Sequence, residues 1–268
     1  MKKFLCLMFV LIFSTCAFAK DFSVGVLAQL NMTEDEYKNF VRDGRNNVGF
    51  NFLSNSDENF RYYDSLLNLQ MALNAGEIQE VQLPEVVGEY FVNSNLETFK
   101  VSGVTQFRTT YLAFGFLKKN ETLRDKVNAA LQSMKEDGTL EQLQLDYIVN
   151  FKEDNLKPIK LEKFDGAETI KIALTGDLPP IDFVAINGEP IGFNMAIISE
   201  IGKHAKLNIQ VVDIDSGARS AALASGRADA TLWYRATKDF ELQPDIPTDI
   251  ILSDSYYEWN KFLRITKK

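Results

Sequence analysis

Apolar positions in this chain follow two rhythms, and their alternation predicts strands and helices in turn. Phe22-Ser23-Val24-Gly25-Val26-Leu27 alternates with a period of two and predicts a strand. Thr33-Glu34-Asp35-Glu36 is a capping box, which predicts a helix from there to about Arg42. Phe60 to Tyr63 reads as a short strand. A helix capped by Asp64 or Ser65 follows it, with Leu66, Leu69 and Leu73 on one face and Gly76 as its stop. Val86 to Val92 predicts another helix, and the apolar run Tyr111 to Phe116 a buried strand. Glu121 to Lys135 has helical spacing at Leu123, Val127, Ala130, Leu131 and Met134. Asp137-Gly138 ends that helix, and Thr139 starts another reaching Val149.

The pattern then lapses. Asn150 to Glu168 is rich in Lys, Glu and Asp, contains Pro158 and has no period, so it reads as a linker. Beyond it the rhythm restarts with a strand at Ile170 to Leu174 and the Pro179-Pro180 turn. Asn187-Gly188 marks a hairpin-like turn, and a helix runs from about Asn194 to His204. A strand at Asn208 to Val212, a helix at Gly217 to Ala224 stopped by Ser225-Gly226, and a strand at Ala228 to Trp233 complete the reading. Strand and helix alternate, which implies parallel sheets covered on both sides. One internal echo stands out. "LLNLQMALNAGEIQEV" (66–81) and "GARSAALASGRADATL" (217–232) are each a helix ending in Ala-Leu-x-x-Gly with a strand behind it, consistent with two related lobes.

Composition narrows the class. Lys2 and Lys3, the short apolar run Phe4 to Phe13 and Ala17-Phe18-Ala19 form a leader with a small-x-small cleavage site, so a mature chain is expected from Lys20. A rival reading makes Cys16 a lipid-anchor site. Cys6 and Cys16 both fall in the leader, leaving the rest without thiol or disulfide chemistry. Removing Lys2 and Lys3, with no acid beside them, takes the formal charge from −8 to about −10. Such a surface argues against nucleic acid or an anionic membrane as partner. The one histidine, His204, supplies neither a metal site nor a triad, and a structural place on a helix face is expected for it.

Three stretches together resemble the extracytoplasmic solute-binding proteins of amino-acid-type ABC transporters, family 3. They are "IKIALTGDLPPIDFVAINGEPIGFNMAIISEIGKHAKLNIQVVDID" (170–215), "AALASGRADATL" (221–232) with "DIILSDSYY" (249–257), and "YLAFGFLKKNETLRDKVNAALQSMKEDGTLEQLQLDYI" (111–148). The resemblance implies an α/β, two-lobed periplasmic binding protein-like fold of type II. Each lobe would be a mainly parallel sheet flanked by helices. In that family, however, the first of these stretches opens the chain and the third closes it. Here the order is rotated, and joining Lys268 to Lys20 would restore it, so a circular permutant is expected. The implied division is a signal peptide at 1–19, the second lobe at 20–105 and the closing segment of the first lobe at 106–149. A linker joining ancestral termini follows at 150–169, and the main part of the first lobe at 170–268. The other account is two fragmentary domains that each pair with another chain.

The same resemblance places a small-molecule solute between the lobes, held by fixed hydrogen-bond donors and aromatic walls. First-lobe candidates are Thr175, Asp177, Leu178, Phe183, Ser216, Trp233, Tyr234 and Arg235; second-lobe candidates are Leu30, Asn31, Met32 and Glu85, within the segment Leu83 to Glu85. Phe183 reads equally as core, Asp177 as a turn cap, and Arg235 as a partner of Asp239. Two family features are missing. Where an arginine usually grips the ligand carboxylate the aligned position falls near Glu241, and where an aspartate takes the ligand ammonium it falls near Pro84. The expectation is therefore a periplasmic, monomeric, non-enzymatic receptor for a small polar solute, an amino acid or related compound. It would need no cofactor or metal and would serve an ABC permease. A sensory module signalling by hinge closure and a dehydratase-like enzyme on the same fold are the alternatives.

Overall fold

The structure is a computed structural model, and it describes residues 22–28, 59–151, 158–185, 188–235 and 246–268. The helix expected at 33–42 lies outside these residues, as do Leu30, Asn31, Met32 and Glu241.

Strand β1 (Ser23–Leu27) lies between β2 (Asn59–Tyr63) and β3 (Glu80–Pro84), parallel to both. Helix α1 (Leu66–Asn74) separates β2 from β3. Its N-cap is Ser65, whose hydroxyl accepts from the Asn68 amide, and Leu69 and Leu73 face the core. Helix α2 (Glu85–Asn93) follows β3 directly. It lies close against the neighbouring sheet because Gly88 has no side chain: a Cβ there would stand 3.0 Å from Leu263.

The elements of the other lobe come from two separated parts of the chain. One contains α3 (Glu121–Glu136) and α4 (Thr139–Gln144), with a π turn at Leu145–Val149. The residues that α3 buries are Leu123, Val127, Ala130, Leu131 and Met134, the set its helical spacing predicts. The other part begins with β5 (Thr169–Leu174) and a small antiparallel sheet of β6 (Asp177–Leu178), β7 (Asp182–Val184) and β8 (Pro190–Ile191). Helix α5 (Phe193–Ala205), β9 (Asn208–Asp213), α6 (Arg219–Ala224) and β10 (Ala230–Arg235) follow. Strand β5 is parallel to β9 and β10, and α3 and α4 pack on α5.

Two long strands join the lobes. Strand β4 (Phe99–Leu117) and β12 (Tyr257–Lys267) run antiparallel along each other, and a short β11 (Ile250–Leu252) adds to β4. Phe99 to Gln106 and Lys261 to Lys267 pair in the second lobe, where β12 also pairs with β3. Tyr111 to Gly115 pairs with β10 in the first lobe. The register slips between Trp259 and Lys261 and again between Arg264 and Ile265. Among the described residues these strands form one nine-stranded sheet, β2-β1-β3-β12-β4-β10-β5-β9 with β11 beside β4, parallel within each lobe and antiparallel where the lobes share strands. It is a two-lobed α/β fold.

The pattern reading found only Tyr111 to Phe116 of β4. The first part of that strand, "FKVSGVTQ", is largely solvent-facing, with Val101 and Val104 both exposed, so its residues carry no apolar alternation. The expected linker is also less loose than its composition implies. Residues 158–168 contain neither helix nor strand, yet Ile159 and Leu161 pack on the core. The Asn208 side chain accepts from the Phe164 amide at 2.8 Å and donates to its carbonyl at 3.0 Å. His204 sits where α5 meets α3, with Nδ1 3.1 Å from Ser133 Oγ.

Candidate functional site

The carboxyl ends of β5 and β9 lie side by side, where parallel strands leave loops free to hold a ligand. Chain direction reverses sharply after β5, and Gly176 takes a positive φ of 66° there. A Cβ at that position would stand 2.5 Å from Val184, so both backbone and space require glycine.

Two carboxylates organise this loop. Asp177 accepts from the Thr175 hydroxyl at 2.6 Å and from the Ser216 hydroxyl, tying the β5 loop to the 3-10 turn Ser216–Ala218. Asp182, at the start of β7, is 2% exposed and accepts from the Thr175 and Gly176 amides, each at 3.2 Å. Its Oδ2 also lies 3.3 Å from Thr175 Oγ1. A hydroxyl has one proton, and the shorter contact assigns Thr175's to Asp177. The Asp182 contact is complete when Asp182 itself carries a proton. Burial pushes the Asp182 carboxyl up to about 6, with Asp177 adding to the rise, while the two amides and Arg219 oppose it. Arg219, at the first turn of α6, is itself 2% exposed and donates to the Ser216 carbonyl.

Thr175, Asp177 and Ser216 therefore come together. Of the alternatives for Asp177, the structure shows it bridging two loops. Phe183 is half-buried, opposite Asp177 in the β6–β7 pair, with its ring 6.0 Å from that of Tyr90 on α2. Leu178 is placed differently from the rest: it is 6% exposed and belongs to the main core. Trp233, Tyr234 and Arg235 continue β10 beside Ala113, Leu112 and Tyr111, and only their backbone is described.

On the second-lobe side Glu85 opens α2 and pairs with Lys261 of β12 at 3.3 Å. Tyr257 lies on β12 near this pair. Burial, then Glu85 and Glu89, push its hydroxyl up to about 12. Glu89 is also raised, by burial and then by Glu85, with Lys261 opposing. Asp182, Arg219, Glu89, Tyr90 and Tyr257 were not predicted as site residues. Asp182 follows Pro-Pro-Ile and Arg219 lies in a polar helical stretch, so neither signals burial in the sequence. No group of three or more His, Cys, Asp or Glu suited to a metal ion occurs among the described residues.

Residues 170–238 match the sequence profile of bacterial extracellular solute-binding proteins, family 3. The matched segment covers 69 of the 268 residues. It spans β5 to β10, including Thr175, Asp177, Ser216 and the two buried charges Asp182 and Arg219. No curated protein sequence matches the chain. Among solved structures, the chain is similar to PhnD1 from Prochlorococcus marinus bound to methylphosphonate. That pair is 9% identical over 92% of this chain and 76% of that one, with a TM-score of 0.47. A periplasmic substrate-binding protein of an ABC transporter from Coxiella burnetii is 11% identical over 92% and 85%, with a TM-score of 0.41. The VFT2 domain of Bordetella pertussis BvgS is 12% identical over 92% and 80%, also at 0.41. Likeness at this level assigns neither ligand nor role.

Proposed function

We propose that this chain is an extracytoplasmic receptor that takes a small polar solute, an amino acid or related compound, into the cleft between its lobes and delivers it to an ABC permease. The observation that carries the reading is the placement of the family-3 segment. Its loops after β5 and β9 converge through Thr175, Asp177 and Ser216, and the adjoining hairpin brings Phe183 against Tyr90 of α2. Asp177 is half-buried and acceptor-only when ionised, so it suits a solute that presents N–H or O–H donors. The aromatic rings of Phe183 and Tyr90 offer apolar walls beside it. Capture needs hinge closure and no covalent chemistry, and none is proposed.

A thermal-shift screen of amino acids, small peptides and organic acids tests this. A solute present at 100 times its Kd stabilises the fold by about 2.7 kcal/mol and raises the melting temperature. At least one solute is expected to do so, and Asp177→Asn is expected to abolish or strongly reduce the response. A flat response across the whole panel rejects the reading.

A further inference from the structure

Tyr90 is held by two rings, and both belong to the opposite lobe. Its ring centroid is 5.7 Å from Phe151 at 66°, an edge-on contact, and 6.0 Å from Phe183 at 49°. Tyr90 lies on α2, which packs on β3 and β12 of the second lobe. Phe183 lies on β7, which packs on α5 of the first lobe. Phe151 comes just after the π turn that continues α4, and α4 also packs on α5. A second-lobe tyrosine is thus clasped by Phe151, after the π turn, and by Phe183 of the β7 hairpin.

We infer that Tyr90 is a latch that holds the two lobes together across the cleft. Covalently the lobes are joined by β4 and β12, whose pairing shifts register at Trp259/Lys261 and again at Arg264/Ile265. Such a passage absorbs backbone rotation and does little to fix one angle. The two contacts of Tyr90 join the lobes directly. Edge-on and tilted ring pairs at these separations stabilise beyond their area burial, by a factor of roughly 2 to 13 in an equilibrium constant for each pair. Two such pairs bias the lobes toward the closed arrangement. As the latch sits beside Asp177's hairpin partner Phe183, a solute enters when Tyr90 swings free; this consequence rests on the solute-binding reading.

Small-angle scattering of the protein without any solute tests the latch, so its failure and the failure of solute binding are separate results. The wild type is expected near the radius of gyration of a compact chain this long, about 18 Å. Tyr90→Ala and Phe183→Ala are each expected to shift the radius and the maximum dimension upward, with far-UV circular dichroism unchanged. Tyr90→Phe keeps both ring contacts and is expected to scatter as the wild type does. If Tyr90→Ala does not fold, Phe183→Ala, at a half-buried position, gives the same readout. Wild-type scattering from the folded alanine variants overturns the latch.

Discussion

Arg264 of β12 grips one carboxylate oxygen of Glu80 on β3 with two nitrogens, Nε at 2.7 Å and Nη2 at 2.5 Å. The other oxygen accepts from Ser102 of β4 at 2.8 Å, so Glu80 ties together three adjacent strands of the second lobe. Both side chains are largely shielded, at 13% and 17% exposure. Removing one member leaves the other charge poorly solvated, which in buried pairs costs about 3–5 kcal/mol. Glu80→Ala should therefore destabilise the protein by about 3 kcal/mol in urea unfolding, and adding Arg264→Met should recover part of that loss. Additive losses in the double variant would contradict the coupling.

Asp182 makes stability depend on pH. Its carboxyl titrates near 6 when folded and near 3.8 when unfolded, so between these values the folded state binds the extra proton. Stability is then fully present below about 4 and is lost as pH rises through about 6, by roughly 3 kcal/mol. Melting temperature measured from pH 4 to 7 should fall across this window relative to Asp182→Asn, which cannot titrate. Parallel curves for the two proteins would refute the assignment.

Gly192 precedes α5 with a φ of 98°, and a Cβ there would lie 2.6 Å from the Pro180 carbonyl oxygen. That approach lets the Phe193 and Asn194 amides donate to Pro180 and Ile181, seating the helix on the cleft hairpin. Gly192→Ala should cost about 1–3 kcal/mol in chemical denaturation. An unchanged midpoint would show that the turn can relax.

The Tyr256 hydroxyl donates to the side-chain Oδ1 of Asn194 at 2.9 Å, with both residues buried. Tyr256→Phe keeps the ring packing on Phe114 and Phe193 but strips that acceptor of its donor. A loss of about 1–3 kcal/mol is expected in equilibrium unfolding.

We propose that the order of segments is a circular permutation of the family order. Ile265 of β12 and Val24 of β1 flank neighbouring residues of β3, Val81 and Glu80, on opposite sides. They are thus about 10 Å apart at the same end of the sheet. A chain beginning at residue 158, running to Lys268, continuing through a linker of about four residues into Phe22 and ending at Phe151 should fold and melt cooperatively. Failure of that rearranged chain to fold would count against the proposal.

Much of the architecture was legible from local pattern. The helix face Leu123, Val127, Ala130, Leu131 and Met134, the cap at Ser65 and the stops at Gly76 and Gly226 are all encoded within a few residues. Periodicity and capping are short-range properties, and the chain carries them wherever the segment ends up. That Thr175, Gly176 and Asp177 share the loop after β5 was legible as well, because they are consecutive residues behind an apolar run.

Other features exist only in three dimensions. The half-exposed part of β4 becomes a strand because β12, nearly 160 residues away, supplies its hydrogen bonds. Asp182 is unremarkable in the sequence and acquires its proton affinity from burial beneath a loop that it holds. Tyr90 reads as one more aromatic on a short helix, and only the meeting of Phe151 and Phe183 around it gives it a role. Hydrophobic spacing determined which faces would be buried. Tertiary structure decided which charges and rings would meet, because desolvation and ring contacts depend on distances that no local pattern specifies.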